Sequence, residues 1–248
     1  MKIIPLSAFQ DNYIWLLVDN QRQCVCVDPG DAKPVLDYIR QHQLSLTAIV
    51  LTHHHFDHIG GVSDLLSQYP GTPVYGPHDS RIPQVTHALS EGDRINVLDI
   101  DFTILSIPGH TSTHIAYFNP NSPMLFCGDT LFSAGCGRVF DGTMEKLFHS
   151  LEKINQLPID TKIYCAHEYT LNNCRFAHSI EPSNQKVIEK IQHLSTQPQT
   201  CSLPSDLATE KKINPFLRAI SKSLSSPAYQ DLSAYDTFKH LRLLKDDF

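Results

Sequence analysis

The sequence predicts an α+β fold: stacked β-sheets with a few helices over residues 1–167, then a small, mainly helical region over 168–248. Three observations predict it. Short apolar segments bounded by Gly, Pro and polar turns recur through the first part, several in hairpin-like succession. That order favours stacked sheets over one doubly wound parallel sheet. After His167, helical spacing replaces the strand signal almost entirely.

The elements follow in order. Ile3–Leu6, Tyr13–Val18 and Cys24–Val27 read as strands, the last ending at the turn Asp28-Pro29-Gly30. Pro34 through His42 has helical spacing, with Pro34 near its start. Ala48–Leu51 is a short buried strand, and a His-rich run follows it directly. Gly60-Gly61 leads into a helix over Val62–Tyr69, closed by Pro70-Gly71. Further strands are expected at Pro73–Tyr75, Arg94–Val97, Phe102–Ser106, His114–Phe118 and Met124–Cys127. A helix over Met144–Gln156 precedes a strand at Lys162–Ala166. Helical periodicity then covers Leu171–Ser179, Asn184–Leu194 and Leu232–Leu244, with a polar loop at Ser195–Pro204.

Composition narrows the function classes. The chain of 248 residues is 41% hydrophobic and 19% charged, ordinary for a globular protein. It has no apolar run long enough to span a bilayer, and its N-terminus has no signal-peptide core, so the expected location is the cytoplasm. A net charge of -6 without basic blocks argues against nucleic acid or anionic membrane as partner. The seven Cys are scattered without Cys-x-x-Cys and read as reduced, mostly buried thiols.

The 14 His carry the chemistry. His53, His55, Asp57 and His58 lie within six residues, just after a buried strand. Imidazole and carboxylate suit Zn²⁺, Fe²⁺ or Mn²⁺. Residues two apart in extended backbone point the same way, so His53 and His55 can share one ion. Asp57 and His58 lie past a bend and can face a second ion, while His54 points away in a structural role. His110, Asp129 and His167 each stand just past an apolar segment. Ligands gathered at strand ends make a rigid site.

In this order the residues resemble the metallo-β-lactamase superfamily, with its Thr-His-x-His-x-Asp-His run followed by distant His, Asp and His. Further segments resemble its glyoxalase II (hydroxyacylglutathione hydrolase) family: Gly109-His110-Thr111-Ser112, Gly128-Asp129-Thr130-Leu131-Phe132, Gly135-Cys136-Gly137-Arg138, His167-Glu168-Tyr169-Thr170, Asn214-Pro215-Phe216 and Arg242-Leu243-Leu244-Lys245-Asp246. The resemblance implies a four-layer αββα sandwich over 1–167 and a helical substrate-binding domain over 168–248. It implies two divalent ions, zinc ahead of iron or manganese. His53, His55 and His110 would hold the first ion, Asp57, His58 and His167 the second, and Asp129 would bridge them.

The implied reaction is hydrolysis of the thioester S-D-lactoylglutathione to D-lactate and glutathione by a hydroxide bridging the two ions, the second step of methylglyoxal breakdown. Asp57 would be both ligand and orienter of that hydroxide. Arg138, Phe140, Tyr169, Arg242 and Lys245 would bind the substrate, whose carboxylates call for cations. One departure stands out: some family members carry Lys-Phe-Tyr where this chain has Arg138-Val139-Phe140, so Phe140 offers packing and backbone but no hydroxyl. Cys136 reads as structural rather than nucleophilic. The implied partner is the small-molecule thioester alone, and a monomer is the simplest expectation. A persulfide dioxygenase, an exported β-lactamase, a nuclease and a non-catalytic binder explain the tail, the charge or the full ligand set less well.

Overall fold

A computed structural model describes residues 1–196 and 201–248. By internal contacts the chain forms two compact units, 1–106 with 113–128, and 107–112 with 129–248.

The first unit opens with β1 (Lys2–Ala8), β2 (Asn12–Val18) and β3 (Gln23–Val27). Then come α1 (Ala32–His42), β4 (Ser45–Val50), α2 (Phe56–Ile59), α3 (Val62–Gln68), β5 (Val74–Pro77) and β6 (His87–Leu89). The six strands form one sheet in sequence order. β1, β2 and β3 pair antiparallel, with Leu6 opposite Ile14 and Trp15 opposite Val27. From β3 onward the pairing is parallel. The helical crossovers account for the change, since parallel neighbours need a long connection and α1 and α2–α3 supply it. The hairpin succession expected from the sequence therefore holds at the start of this sheet and not at its end.

β7 (Arg94–Val97), β8 (Ile100–Ser106), β9 (Ile115–Asn119) and β10 (Met124–Gly128) follow. They lie side by side in the order β10-β9-β8-β7, all antiparallel. Side-chain alternation shows how the layers are built. Ile14, Leu16, Cys24, Cys26 and Ile49 cluster with Val35, Ile39, Val62 and Leu65 of α1 and α3. Leu17, Val25, Val27 and Val50 turn the other way, toward Val97, Phe102, Tyr117 and Phe126. The strands are covered on both faces, so they read as continuous apolar runs. Each such buried side chain contributes about 1.5–3 kcal/mol. Tyr117 fixes the two layers by donating its hydroxyl to the Leu51 carbonyl at 2.8 Å. α1 begins at Ala32, two residues before Pro34, because Asp31 caps it by accepting from the Lys33 amide.

The second unit contains β11 (Leu131–Phe132) and β12 (Gly135–Cys136), a tight ribbon, then α4 (Met144–Asn155) and β13 (Lys162–Cys165). Helices α5 (Thr170–Ile180) and α6 (Gln185–Thr196) follow, then β14 (Ser205–Asp206), which pairs antiparallel with β13. The chain ends with α7 (Leu207–Ile213), α8 (Pro215–Ile220) and α9 (Ala234–Asp246). Phe148, Phe238, Phe216 and Phe176 form an aromatic file, with neighbouring centroids 5.5, 5.8 and 6.1 Å apart. Residues 197–200 of the expected Ser195–Pro204 loop lie outside the described residues. β14, α7 and α8 are too short for periodicity to show them. α8 nevertheless carries a cap signal: Asn214 accepts from the Phe216 amide at 3.0 Å, with Pro215 in the first turn. Among the described residues no helix is long and apolar enough to cross a membrane.

Candidate metal centre

The first unit carries one group of candidate ligands. β4 runs into extended backbone at Thr52–His55, and His55 is the N-cap of α2. His53 Nε2 and His55 Nδ1 lie 3.1 Å apart, as expected of residues two apart on one side. The bend after them is the α2 turn, which carries Asp57 and His58, with Asp57 Oδ2 3.5 Å from His58 Nε2. His54 turns elsewhere, its Nδ1 3.7 Å from Asp79 Oδ2. The Arg81 guanidinium on Asp79 holds that carboxyl well below the usual range, so it stays anionic.

A layer of partners behind these residues fixes the ring nitrogens. Asp28 accepts from the Thr52 amide and the Thr52 hydroxyl, both at 2.7 Å, and its Oδ2 faces His58 Nδ1 at 3.1 Å. Thr52 Oγ1 donates to Asp28, so at 3.0 Å from His53 Nδ1 it is an acceptor for that ring. Protons on the Nδ1 atoms of His53 and His58 leave both Nε2 lone pairs for a ligand, the arrangement metal-binding imidazoles use. Asn12 donates to Asp57 Oδ2 at 2.9 Å. The His114 ring stacks on His53 at 4.5 Å and 16°.

The second unit carries a group of its own. His110, Asp129 and His167 are buried, at 4, 6 and 4% exposure. Asp129 Oδ2 stands 3.5 Å from His110 Nε2 and 3.3 Å from His167 Nε2. His110 Nδ1 donates to the Arg138 carbonyl at 2.8 Å, which again directs Nε2 outward. Two glycines make the close approaches possible. Gly109 has φ +147, and a Cβ there would fall 2.3 Å from the Leu147 backbone. A Cβ on Gly137 would lie 2.0 Å from the Asp129 carbonyl oxygen and 3.0 Å from His110 Nδ1. The donor chemistry in each unit, imidazole nitrogens beside a carboxylate, fits a divalent first-row ion.

Residues 10–167 match the model of the metallo-beta-lactamase superfamily, and residues 168–248 that of the hydroxyacylglutathione hydrolase C-terminus. A hydroxyacylglutathione hydrolase from Legionella pneumophila (strain Corby) is 50% identical over 253 positions, covering 100% of both chains. The chain belongs to the hydroxyacylglutathione hydrolases of the metallo-beta-lactamase superfamily. Solved structures share the fold of this superfamily. ETHE1 from Myxococcus xanthus aligns with a TM-score of 0.70 at 25% identity, over 98% of this chain and 90% of that one. TTHA1623, solved in a di-iron-bound form, aligns with a TM-score of 0.63 at 26% identity, over 88% and 100%. This is thus a metallo-hydrolase, with a His/Asp cluster suited to divalent metal.

The expected substrate-binding residues fall in the second unit, in unequal settings. Arg138 is exposed and reaches Asp246, Nε to Oδ1 at 3.3 Å. Arg242 is 2% exposed and lies under the β12 ribbon. It donates to the Cys136 carbonyl at 2.8 Å and the Gly137 carbonyl at 3.4 Å, and pairs with Asp246 at 3.1 Å. Its guanidinium is spent largely on the protein's own backbone. Lys245 is half-buried over the Phe176 and Phe248 rings. Burial, with Arg242 and Arg138 nearby, brings its ammonium down to about 8. Tyr169 stacks on His167 at 4.8 Å and 6°. Phe140 is 64% exposed, its ring edge-on to His110 at 5.2 Å. Cys136 is buried, and burial pushes its thiol up to about 11. A thiol so protonated at neutral pH is a poor nucleophile.

Asp28 and Asn12 escaped the sequence reading as parts of the centre. Asp28 stood only as the first residue of an Asp-Pro-Gly turn. Its signal was its place just past a buried strand, the same mark that singled out Asp129.

Proposed function

We propose that the protein is a thioesterase that hydrolyses S-D-lactoylglutathione to D-lactate and glutathione. One observation carries the reading: a single chain holds two imidazole–carboxylate groupings together with three neighbouring cations, Arg138 and Arg242 on the Asp246 carboxylate and Lys245 close enough to both to feel their charge. The first supplies metal-assisted hydrolysis. The second is an electropositive patch that suits a ligand with two carboxylates, and the C-terminal family match favours the same substrate.

In the assignment we favour, His53, His55 and His110 would hold one ion, Asp57, His58 and His167 would hold a second, and Asp129 would serve both. Two divalent ions, zinc by preference, would lower the pKa of bound water toward neutrality and polarise the thioester carbonyl. The remaining work falls to the chain. Asp57, steadied by Asn12 at 2.9 Å, orients the attacking water toward the carbonyl carbon. Asp28 and the Arg138 carbonyl keep His58 and His110 in the tautomer that presents Nε2. Water adds its oxygen to the acyl carbon, and the C–S bond breaks. Glutathione leaves as a thiolate, which needs little help from an acid. Arg138 and Lys245 hold the glutathione carboxylates, Tyr169 bonds its peptide backbone, and Phe140 packs against it. Arg242 acts mainly by shaping the ribbon beneath. The working protein is taken as a cytoplasmic monomer with catalytic residues 1–167 and substrate-binding residues 168–248.

Purified protein is expected to hydrolyse S-D-lactoylglutathione, seen as loss of thioester absorbance. Activity should vanish in a strong chelator and return with added zinc, iron or manganese. A folded, metal-loaded sample without turnover would end the proposal.

A further inference from the structure

Glu210 of α7 is a carboxylate with 0% exposure, held by neutral hydrogen-bond donors, and has no part in the reaction above. Its oxygens divide their donors by type. Oε1 accepts from the hydroxyls of Ser133, at 2.8 Å, and Ser205. Oε2 accepts from the Ala134 amide at 2.7 Å and from Asn214 Nδ2 at 3.3 Å. Ser133 and Ala134 form the two-residue turn of the β11–β12 ribbon, and Ala134 has φ +55. A non-glycine residue in the left-handed region persists only where its surroundings hold it there.

Other buried amides hold the same turn. Asn214 Nδ2 donates to the Phe132 and Gly135 carbonyls at 3.1 and 2.9 Å, and Asn173 Nδ2 to the Ser133 carbonyl at 3.0 Å. The ribbon so clamped joins Asp129 on one side to Gly137 and Arg138 on the other. Gly137 lies against the Asp129 backbone, and the Arg138 carbonyl directs the His110 ring.

We propose that Glu210 is a positioning residue: by clamping the β11–β12 turn from α7, it sets both Asp129 and the Arg138 carbonyl that orients His110. The inference rests on the metal assignment above. It makes the C-terminal helices a support of the second unit's candidate ligands as well as a substrate platform. What Glu210 supplies is acceptor geometry rather than charge. A glutamine can keep its carbonyl at the Oε2 position, where the donors are fixed N–H groups, and place its NH₂ at the Oε1 position. There the two hydroxyls can rotate to accept. Leucine fills similar volume and satisfies none of these donors.

The test compares full-length wild type with Glu210→Gln, Glu210→Leu and Asn173→Ala. Each is read by far-UV circular dichroism, by metal per chain after dialysis against a competing chelator, and by kcat and KM separately. Glu210→Gln should keep wild-type metal content and kcat within about twofold. Glu210→Leu should remain folded yet lose metal at chelator concentrations the wild type withstands. Its kcat should fall at least about tenfold, with KM changed less than about twofold. A folded Glu210→Leu variant with wild-type metal retention and kcat overturns the proposal, as does a Glu210→Gln variant as damaged as the leucine. Should the leucine variant not fold, Asn173→Ala loosens the same turn from α5 and must shift metal retention in the same direction. If the wild type itself does not turn over the thioester, the substrate reading fails while metal retention still decides the role of Glu210.

Discussion

In the first unit, four candidate ligands come from six consecutive residues, His53 to His58, and local backbone sets their directions. In the second, His110, Asp129 and His167 come from three separate loops, and their directions come from tertiary contacts: the Arg138 carbonyl, the packing of Gly109 and Gly137, and the clamped ribbon. The two groups offer similar donors by different means. The local group has one orienting carboxylate behind it, Asp28. The dispersed group depends on everything that fixes its loops, including helices far along the chain.

Four measurements break or sharpen this comparison. The largest effect is expected from Asp129→Ala, which removes the one carboxylate between the two imidazoles of the dispersed group. It should lower kcat by at least ~10²-fold, above the usual cost of losing an outer partner, with loss of bound metal by elemental analysis. Asp28→Asn removes an acceptor from behind the local group. Metal affinity should fall ~10–100-fold in chelator competition, while the far-UV spectrum is kept.

A smaller effect belongs to Lys245. Its ammonium is lowered to about 8, so the charge is held below that pH and given up above it. KM for the thioester should therefore rise between pH 7 and 9, by up to about tenfold, the equivalent of ~1.4 kcal/mol. Lys245→Ala should show the high KM at both ends and a flat profile. The smallest effect is that of Cys136→Ala. With its thiol at about 11 and buried, kcat should stay within about twofold, and iodoacetamide should leave the wild type active at neutral pH.

Much of this is legible in the sequence. Arg94–Val97 carries its own alternation, and the expected strand matches β7 end to end. Met144 follows a Thr143 cap, so α4 begins where its sequence says. The His-x-His-x-Asp-His spacing already implied two imidazoles on one side and a bend before Asp57. The parallel half of the first sheet was less visible, because pairing partners are set by crossovers and not by the strands themselves. α7 and α8 are hidden by their length, and nothing in the sequence beside Glu210, which is followed by Lys211 and Lys212, marks it as buried.

Arg242 shows the same limit from the other side. Its place in the tail motif suggests an exposed cation reaching for substrate, but it is buried under Cys136 and Gly137 and bonds their carbonyls.

The sequence by itself determined the fold class, the family and the residue types of the candidate metal ligands. Those follow from periodicity, caps and short-range spacing, which act over a few residues. Only the tertiary structure decided which carboxylates stand behind the imidazoles, which nitrogens are left to bind, and which cations remain for a ligand. The physical reason is that a buried polar group takes its role from the partner it finds, and Asp28 finds Thr52, Glu210 finds Ala134 and Arg242 finds the Cys136 carbonyl at separations of 24, 76 and 106 residues along the chain.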